Sequence, residues 1–150
     1  MKKLEEYCDC SDIEPEEKEA KELIINNWIE FGEEKKFAVW YYFDYDPGII
    51  EDIDLLDIDT DEIKINGCRL LVLTDDEADE AFKDYMRYYV DEYILNQIPE
   101  KYRRYINEEE IIKDVKSMNV RGVLASYDNH EMGPCRFSDE SENDIYIYRN

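Results

Sequence analysis

Apolar residues fall into runs of distinct period, separated by turn signals. Leu23, Ile24, Trp28 and Phe31 recur at helical spacing. Ser11 and Glu14 precede them at capping-box distance, Pro15 suits a first helical turn, and Gly32 offers a stop. Glu14, Glu16, Glu17 and Glu19 crowd the end that a helix dipole makes positive. A first helix is predicted over 14–31. Residues 37–45, FAVWYYFDY, are β-branched and aromatic on both faces and predict a central strand. Pro47-Gly48 is a turn signal. In 51–62, EDIDLLDIDTDE, apolar residues interleave with acids, so one strand face can be buried while the other is nearly all carboxylate.

Asn66-Gly67 lies between the β-like runs 62–65 and 68–73 and predicts a hairpin. Thr74 with Glu77 forms a capping box for a helix over 75–97, with Ala78, Ala81, Phe82, Tyr85, Tyr89, Ile94 and Leu95 as its inner stripe. A short helical turn follows in Pro99–Ile106. Asn107 and Glu110 then cap a third helix with Ile111, Ile112, Val115 and Met118 facing the core. Residues 123–127 read as a strand, 128–143 as a polar loop, and 144–149 as a last strand expected to pair with 123–127. The expected fold is one α+β domain spanning 1–150. It has three helices and a mainly antiparallel sheet of four or five strands (37–45, 62–65, 68–73, 123–127 and 144–149). The helix at 75–97 should pack on that sheet through Phe82, Tyr85 and Tyr89.

Composition changes the picture through charge. The 150 residues hold 40 acids and 18 bases, a net charge of −22, yet 43% are hydrophobic and 13 are tyrosines, which argues against disorder. Such a chain repels bare nucleic acid and anionic membranes, so a partner should be basic. There is no run of 18 apolar residues, so no membrane span is expected. MKKLEEYCDC lacks an apolar core, so no signal peptide is expected either. Cys8, Cys10, Cys68 and Cys135 are accordingly expected as thiols in a reducing compartment. Residues 1–66 hold 21 acids and 7 bases, while six bases (Lys101, Arg103, Arg104, Lys113, Lys116, Arg121) gather near the third predicted helix.

Few residues suit catalysis. The single histidine, His130, sits in a polar loop, and nothing in the spacing brings it to Ser126 or Cys135. Cys8-x-Cys10 lacks the spacing of structural zinc sites. Asp57-x-Asp59-x-Asp61 begins like a calcium loop but has Glu62 at the sixth position and Cys68 at the twelfth. No glycine-rich phosphate loop exists. No enzyme activity, metal or cofactor is expected. Charge pattern is what remains. Alternate strand residues lie about 6.6 Å apart, and B-DNA carries about one charge per 1.7 Å of its axis. Two rows of carboxylates can approach that density. The first would be Glu51, Asp52, Asp54, Asp57, Asp59, Asp61 and Glu62; the second, Asp75, Asp76, Asp79 and Glu80 with Asp84, or else the acids of the first helix. A merely soluble acidic surface is the simpler reading of the same residues.

The segment Leu70–Asn150 adds a setting. LLVLTDDEADEAF, IPEKYRRYIN, RGVLASYD and the terminal YIYRN together resemble a group of small acidic bacteriophage proteins that has no settled biochemical activity. In that group a histidine commonly follows the Arg-Gly pair and a glycine follows Tyr-Asp. Here Val123 and Asn129 stand there, so no role for that histidine carries over. Residues 1–69 lie outside the resemblance and are expected as a family-specific N-terminal part of the single domain. Phages make acidic anti-restriction and anti-CRISPR inhibitors of this size and charge. The resemblance therefore implies an inhibitor in the bacterial host cytoplasm, bound to a basic nucleic-acid-binding defence protein; the net charge of −22, by which like surfaces repel, predicts a monomer. The other expectation, from a different class, is an accessory protein that docks on a host factor through tyrosines and tryptophan. Its anchors would come from Trp40, Tyr41, Tyr42, Tyr88, Tyr93, Tyr102 and Tyr105, with the acids serving solubility alone.

Overall fold

Asn66 and Gly67 adopt φ of 51° and 76°, the left-handed pair that a two-residue hairpin turn needs. They join β1 (Glu62–Ile65) to β2 (Cys68–Thr74) in the predicted register, with Ile65 opposite Cys68. The computed structural model describes residues 4–8, 12–57, 62–135 and 144–150. Among these are six α-helices, not three, and one antiparallel sheet of four strands. The remaining strands are β3 (Met132–Cys135) and β4 (Ile145–Arg149), and the order across the sheet is β1-β2-β4-β3.

The two central strands are buried on both faces. Leu70, Val72, Ile145 and Ile147 join Ile63, Ile65 and Cys135 on one face. Against them pack α1 (Pro15–Glu30), α2 (Glu34–Tyr42) and α3 (Ile50–Asp54) through Ile25, Trp28, Phe37, Trp40, Ile50 and Ile53. On the other face Leu71, Leu73, Tyr146 and Tyr148 meet Ala78 and Ala81 at the start of α4 (Asp75–Tyr89). The result is three layers: helices, sheet, helices. Beyond its first turns α4 leaves the sheet. Phe82, Met86, Val90 and Leu95 pack on Ile112 and Val115 of α6 (Glu108–Ser117), which follows the short α5 (Glu100–Arg103). Helical structure continues from α4 through a π turn, Val90–Ile94, and a 3₁₀ turn, Leu95–Gln97. No helix among the described residues is long and apolar enough to cross a membrane.

Three expectations are overturned. Residues 37–42 are helical and 43–45 form a turn, because α2 packs against α1, α3 and the sheet and buries Phe37, Ala38, Val39 and Trp40 in succession. Four consecutive buried apolar residues carry no polar interruption to reveal a period. Residues 50–54 are also helical: Asp46 Oδ1 accepts from Gly48 N at 2.8 Å and starts a 3₁₀ turn that leads into α3. Ile49, Ile50 and Ile53 are then buried at helical spacing. Residues 121–124 form a 3₁₀ turn and 123–127 is not a strand. Strand β4 already has β2 and β3 as neighbours, so no ladder position is left, and the expected pairing survives only as Tyr127 N donating to Arg149 O at 3.0 Å. Gly122 is required in that turn, since a Cβ there would fall 2.4 Å from the Asn129 carbonyl oxygen. Asn129, the residue standing for glycine in the resembled group, has φ 55°, which asparagine tolerates.

The helix at 75–97 is present, but it does not meet the sheet through Tyr85 and Tyr89, which are 40% and 38% exposed. Met86 and Val90 take those inner positions. Met118, expected in the core, is exposed. Helix α1 starts at Pro15 with no side-chain cap from Glu14, and Ser11 lies outside the described residues.

Candidate functional site

The first carboxylate row does not form a strand face where it is described. Glu51 and Asp52 occupy the first turn of α3, exposed, with no ion pair among the described residues. Asp54 is partly given over to the fold. Its Oδ1 accepts from the Trp28 indole at 2.9 Å and its carbonyl oxygen accepts from Lys36 Nζ at 3.0 Å. Asp57 is exposed and lines a cleft of about 390 Å³ with Phe31, Lys35, Thr74 and Ile145. Glu62 opens edge strand β1. Asp59 and Asp61 lie outside the described residues.

The second row stands on α4, across the sheet from α3. Two of its members are engaged by one cation. Arg121 Nη1 reaches Asp75 Oδ1 at 2.9 Å and Asp79 Oδ1 at 3.0 Å, and Arg121 Nε reaches Glu131 Oε2 at 2.8 Å. The same guanidinium lies over the Tyr146 ring at 4.4 Å, and Tyr148 Oη donates to Glu131 Oε2 at 2.6 Å. Burial, then the bond to Glu131, pushes the Tyr148 phenol up. Burial opposes charge on Arg121, but its bonds to Glu131 and Asp75 outweigh this and hold it protonated. Asp76 and Glu80 stay exposed, without ion pairs among the described residues. The nine described residues among the eleven expected ones thus do not form one surface.

Sorting charges by exposure shows what the sequence could not. Between residues 12 and 57 there are fifteen acids and four lysines. Twelve of the acids are exposed and none of the lysines is. Lys21, Lys35 and Lys36, at 7%, 19% and 13% side-chain exposure, fold inward onto Glu17, Glu77 and Glu33 at 2.7–2.8 Å. The acids Glu16, Glu19 and Glu30 of α1 face solvent, as do Glu51 and Asp52 of α3, which packs against α1. Expectation put one row of acids on a strand at 51–62 and offered the first helix as an alternative source of the second row; the structure turns Glu16, Glu19 and Glu30 of α1 outward.

Other chemistry has little support from geometry. Among the described residues no group of three His, Cys, Asp or Glu side chains is placed to hold a metal ion. Cys135 is a buried free thiol, pushed up to about 11 by burial. Ser126 Oγ donates to Asn150 Oδ1, and the backbone N of His130 donates to Asp128 Oδ1. Cys68 is also free, but Cys8 is disulfide-bonded, so the expectation of four thiols fails. Trp40 is no surface anchor: it is fully buried and its indole donates to Asp46 O at 3.0 Å. Tyr42 is only half-exposed, whereas Tyr41, Tyr88, Tyr93, Tyr102 and Tyr105 are exposed. In comparisons with protein-family models, curated proteins and solved structures, none matches the chain.

Proposed function

We propose that this chain is a phage-type inhibitor that occupies a basic nucleic-acid-binding protein of host defence, such as a restriction or CRISPR effector, by offering carboxylates in place of phosphates. The supporting observation is the outward acids and inward lysines of residues 12–57, which leave the N-terminal helical layer anionic toward any approaching protein. The binding residues are Glu51 and Asp52 of α3 together with Glu16, Glu19 and Glu30 of α1, and no bond is made or broken. Electrostatic steering makes association fast and salt-sensitive. The test is retention of proteins from a bacterial lysate on the immobilised chain. Recovery of a basic nuclease or polymerase that added DNA or RNA displaces supports the reading. Recovery of a neutral or acidic partner indifferent to nucleic acid refutes it. The exposed tyrosines Tyr88, Tyr93, Tyr102 and Tyr105 favour a second reading, docking of a host factor on an aromatic face, and salt separates the two. Mimicry loses affinity steeply as salt rises and aromatic docking barely changes.

A further inference from the structure

Tyr85, Tyr88, Tyr89 and Tyr93 stand at i, i+3, i+4 and i+8 along α4 and its π turn, a spacing that sets them on one helix face. They are 40%, 59%, 38% and 58% exposed, a contiguous aromatic stripe that a monomer would ordinarily cover. Tyr89 and Tyr93 lie with ring centroids 5.1 Å apart. Asp84 and Glu92 lie four residues before and four after Tyr88, both exposed and without an ion pair among the described residues. Arg87 turns away to Glu109 at 3.4 Å.

The other tyrosines of the C-terminal half show what such rings accept. Lys101 lies over Tyr102 at 5.0 Å, Arg104 over Tyr105 at 4.8 Å, Arg121 over Tyr146 at 4.4 Å and Arg149 over Tyr127 at 3.8 Å. None of the four α4 tyrosines has a cation over its ring among the described residues. Tyr88 and Tyr93 are each more than half exposed, and the exposed carboxylates of Asp84 and Glu92 give the stripe the charge that attracts a cation. A guanidinium fits both parts. It stacks flat on a phenol ring and its N–H fork meets a carboxylate with two bonds, which an ammonium cannot do.

We infer that the outer face of α4 is a docking site for an arginine-presenting segment of the partner, with guanidinium groups stacked on Tyr88 and Tyr93 and paired with Asp84 and Glu92. The inference rests on the reading of the partner as basic and adds which basic group is selected and where. It places a second contact across the sheet from the α1–α3 acids.

The probes are two fluorescent nonapeptides, all-arginine and all-lysine, titrated into the full chain at fixed ionic strength. The arginine peptide should bind roughly fivefold tighter or more. The double change Tyr88→Leu and Tyr93→Leu, which keeps apolar area and removes the rings, should collapse that ratio to within about twofold. The double change Glu51→Gln and Asp52→Asn should weaken both peptides and leave the ratio. Equal affinity for the two peptides, or an arginine preference that survives loss of the rings, overturns the inference while leaving charge mimicry standing. Failure of both peptides to bind overturns the two together. If the ring changes disturb the helix, ring-proton shifts of Tyr88 and Tyr93 in the unaltered protein read the same contact, and their absence on adding arginine peptide is a negative result.

Discussion

Arg121 joins three segments at one point, since Asp75 and Asp79 belong to α4, Glu131 precedes β3 and Tyr146 lies on β4. Its side chain is 16% exposed, and its removal leaves three partly solvated carboxylates facing one another without their shared cation. Arg121→Ala should cost roughly 2–4 kcal/mol, less than a fully buried pair because the carboxylates are partly solvated, read as a lower urea midpoint. Arg121→Lys should recover only part, as an ammonium lacks the fork that reaches two sides at once. Asp54 makes a complementary case. Asp54→Ala strands the buried Trp28 indole and should cost about 1–2 kcal/mol, whereas Asp54→Asn keeps an acceptor oxygen and should cost less. A thermal melt of the two variants checks the order. Charge-removing variants meant to test binding therefore take Glu51 and Asp52 and leave Asp54 alone.

At the scale of elements, the start of α4 links the two helical layers. Thr74 Oγ1 accepts from Glu77 N at 3.2 Å, Glu77 Oε1 accepts from Thr74 N at 3.0 Å, and Lys35 at the start of α2 reaches the same Glu77 oxygen at 2.8 Å. Burial alone would push the Glu77 carboxyl up, but the bonds from Lys35 and Thr74 and the Lys35 charge outweigh it and hold the group below its ordinary 4.5. A carboxyl held low in the folded state contributes stability that is complete above the ordinary value and is lost as pH falls through the folded one. Glu77→Gln should remove that part of the acid-side slope, measured by urea unfolding across pH 3 to 6, a window set by the usual carboxylate range. Thr74→Ala should cost about 1 kcal/mol through the lost cap.

For the whole molecule, the titration that matters at high pH belongs to the aromatic core. Tyr7 packs against Phe37, Trp40 and Tyr45 with centroids 5.1–5.5 Å apart. Burial, then the charge of Glu6, pushes its phenol from 10.0 up to about 12. Burial also raises Tyr45 and Tyr42. An acid raised in the folded state contributes stability that is complete below its ordinary value and is lost as pH rises through the folded one. The protein should therefore lose stability between about pH 10 and 12, with phenolate absorbance and loss of circular dichroism rising together. Net charge acts at every pH. At −22 the fold repels itself and its copies, so added salt should raise the melting temperature and sedimentation should show a monomer at low and high salt. A dimer that persists at high salt would contradict this.

Elements whose signals are local were legible in the chain. Asn66-Gly67 needs only its own left-handed angles to make a hairpin, and Thr74-Glu77 and Asn107-Glu110 close their caps within one turn. Amphipathic α4 and α6 could be read because each keeps a polar face. Helix α2 could not, because it buries four consecutive apolar residues, Phe37–Trp40, and its aromatic and β-branched composition suits either backbone. Residues 123–127 were strand-like, yet a strand also needs a free edge, and β3 holds the one on β4. The surplus of acids was plain from the sequence. Which acids face outward, that the lysines of α1 and α2 fold inward, that the two expected rows stand on opposite sides of the sheet, and that four tyrosines of α4 stay exposed were decided by packing. A residue's charge belongs to its side chain, but the face it lands on depends on which helix or strand its neighbours impose and on what that element packs against.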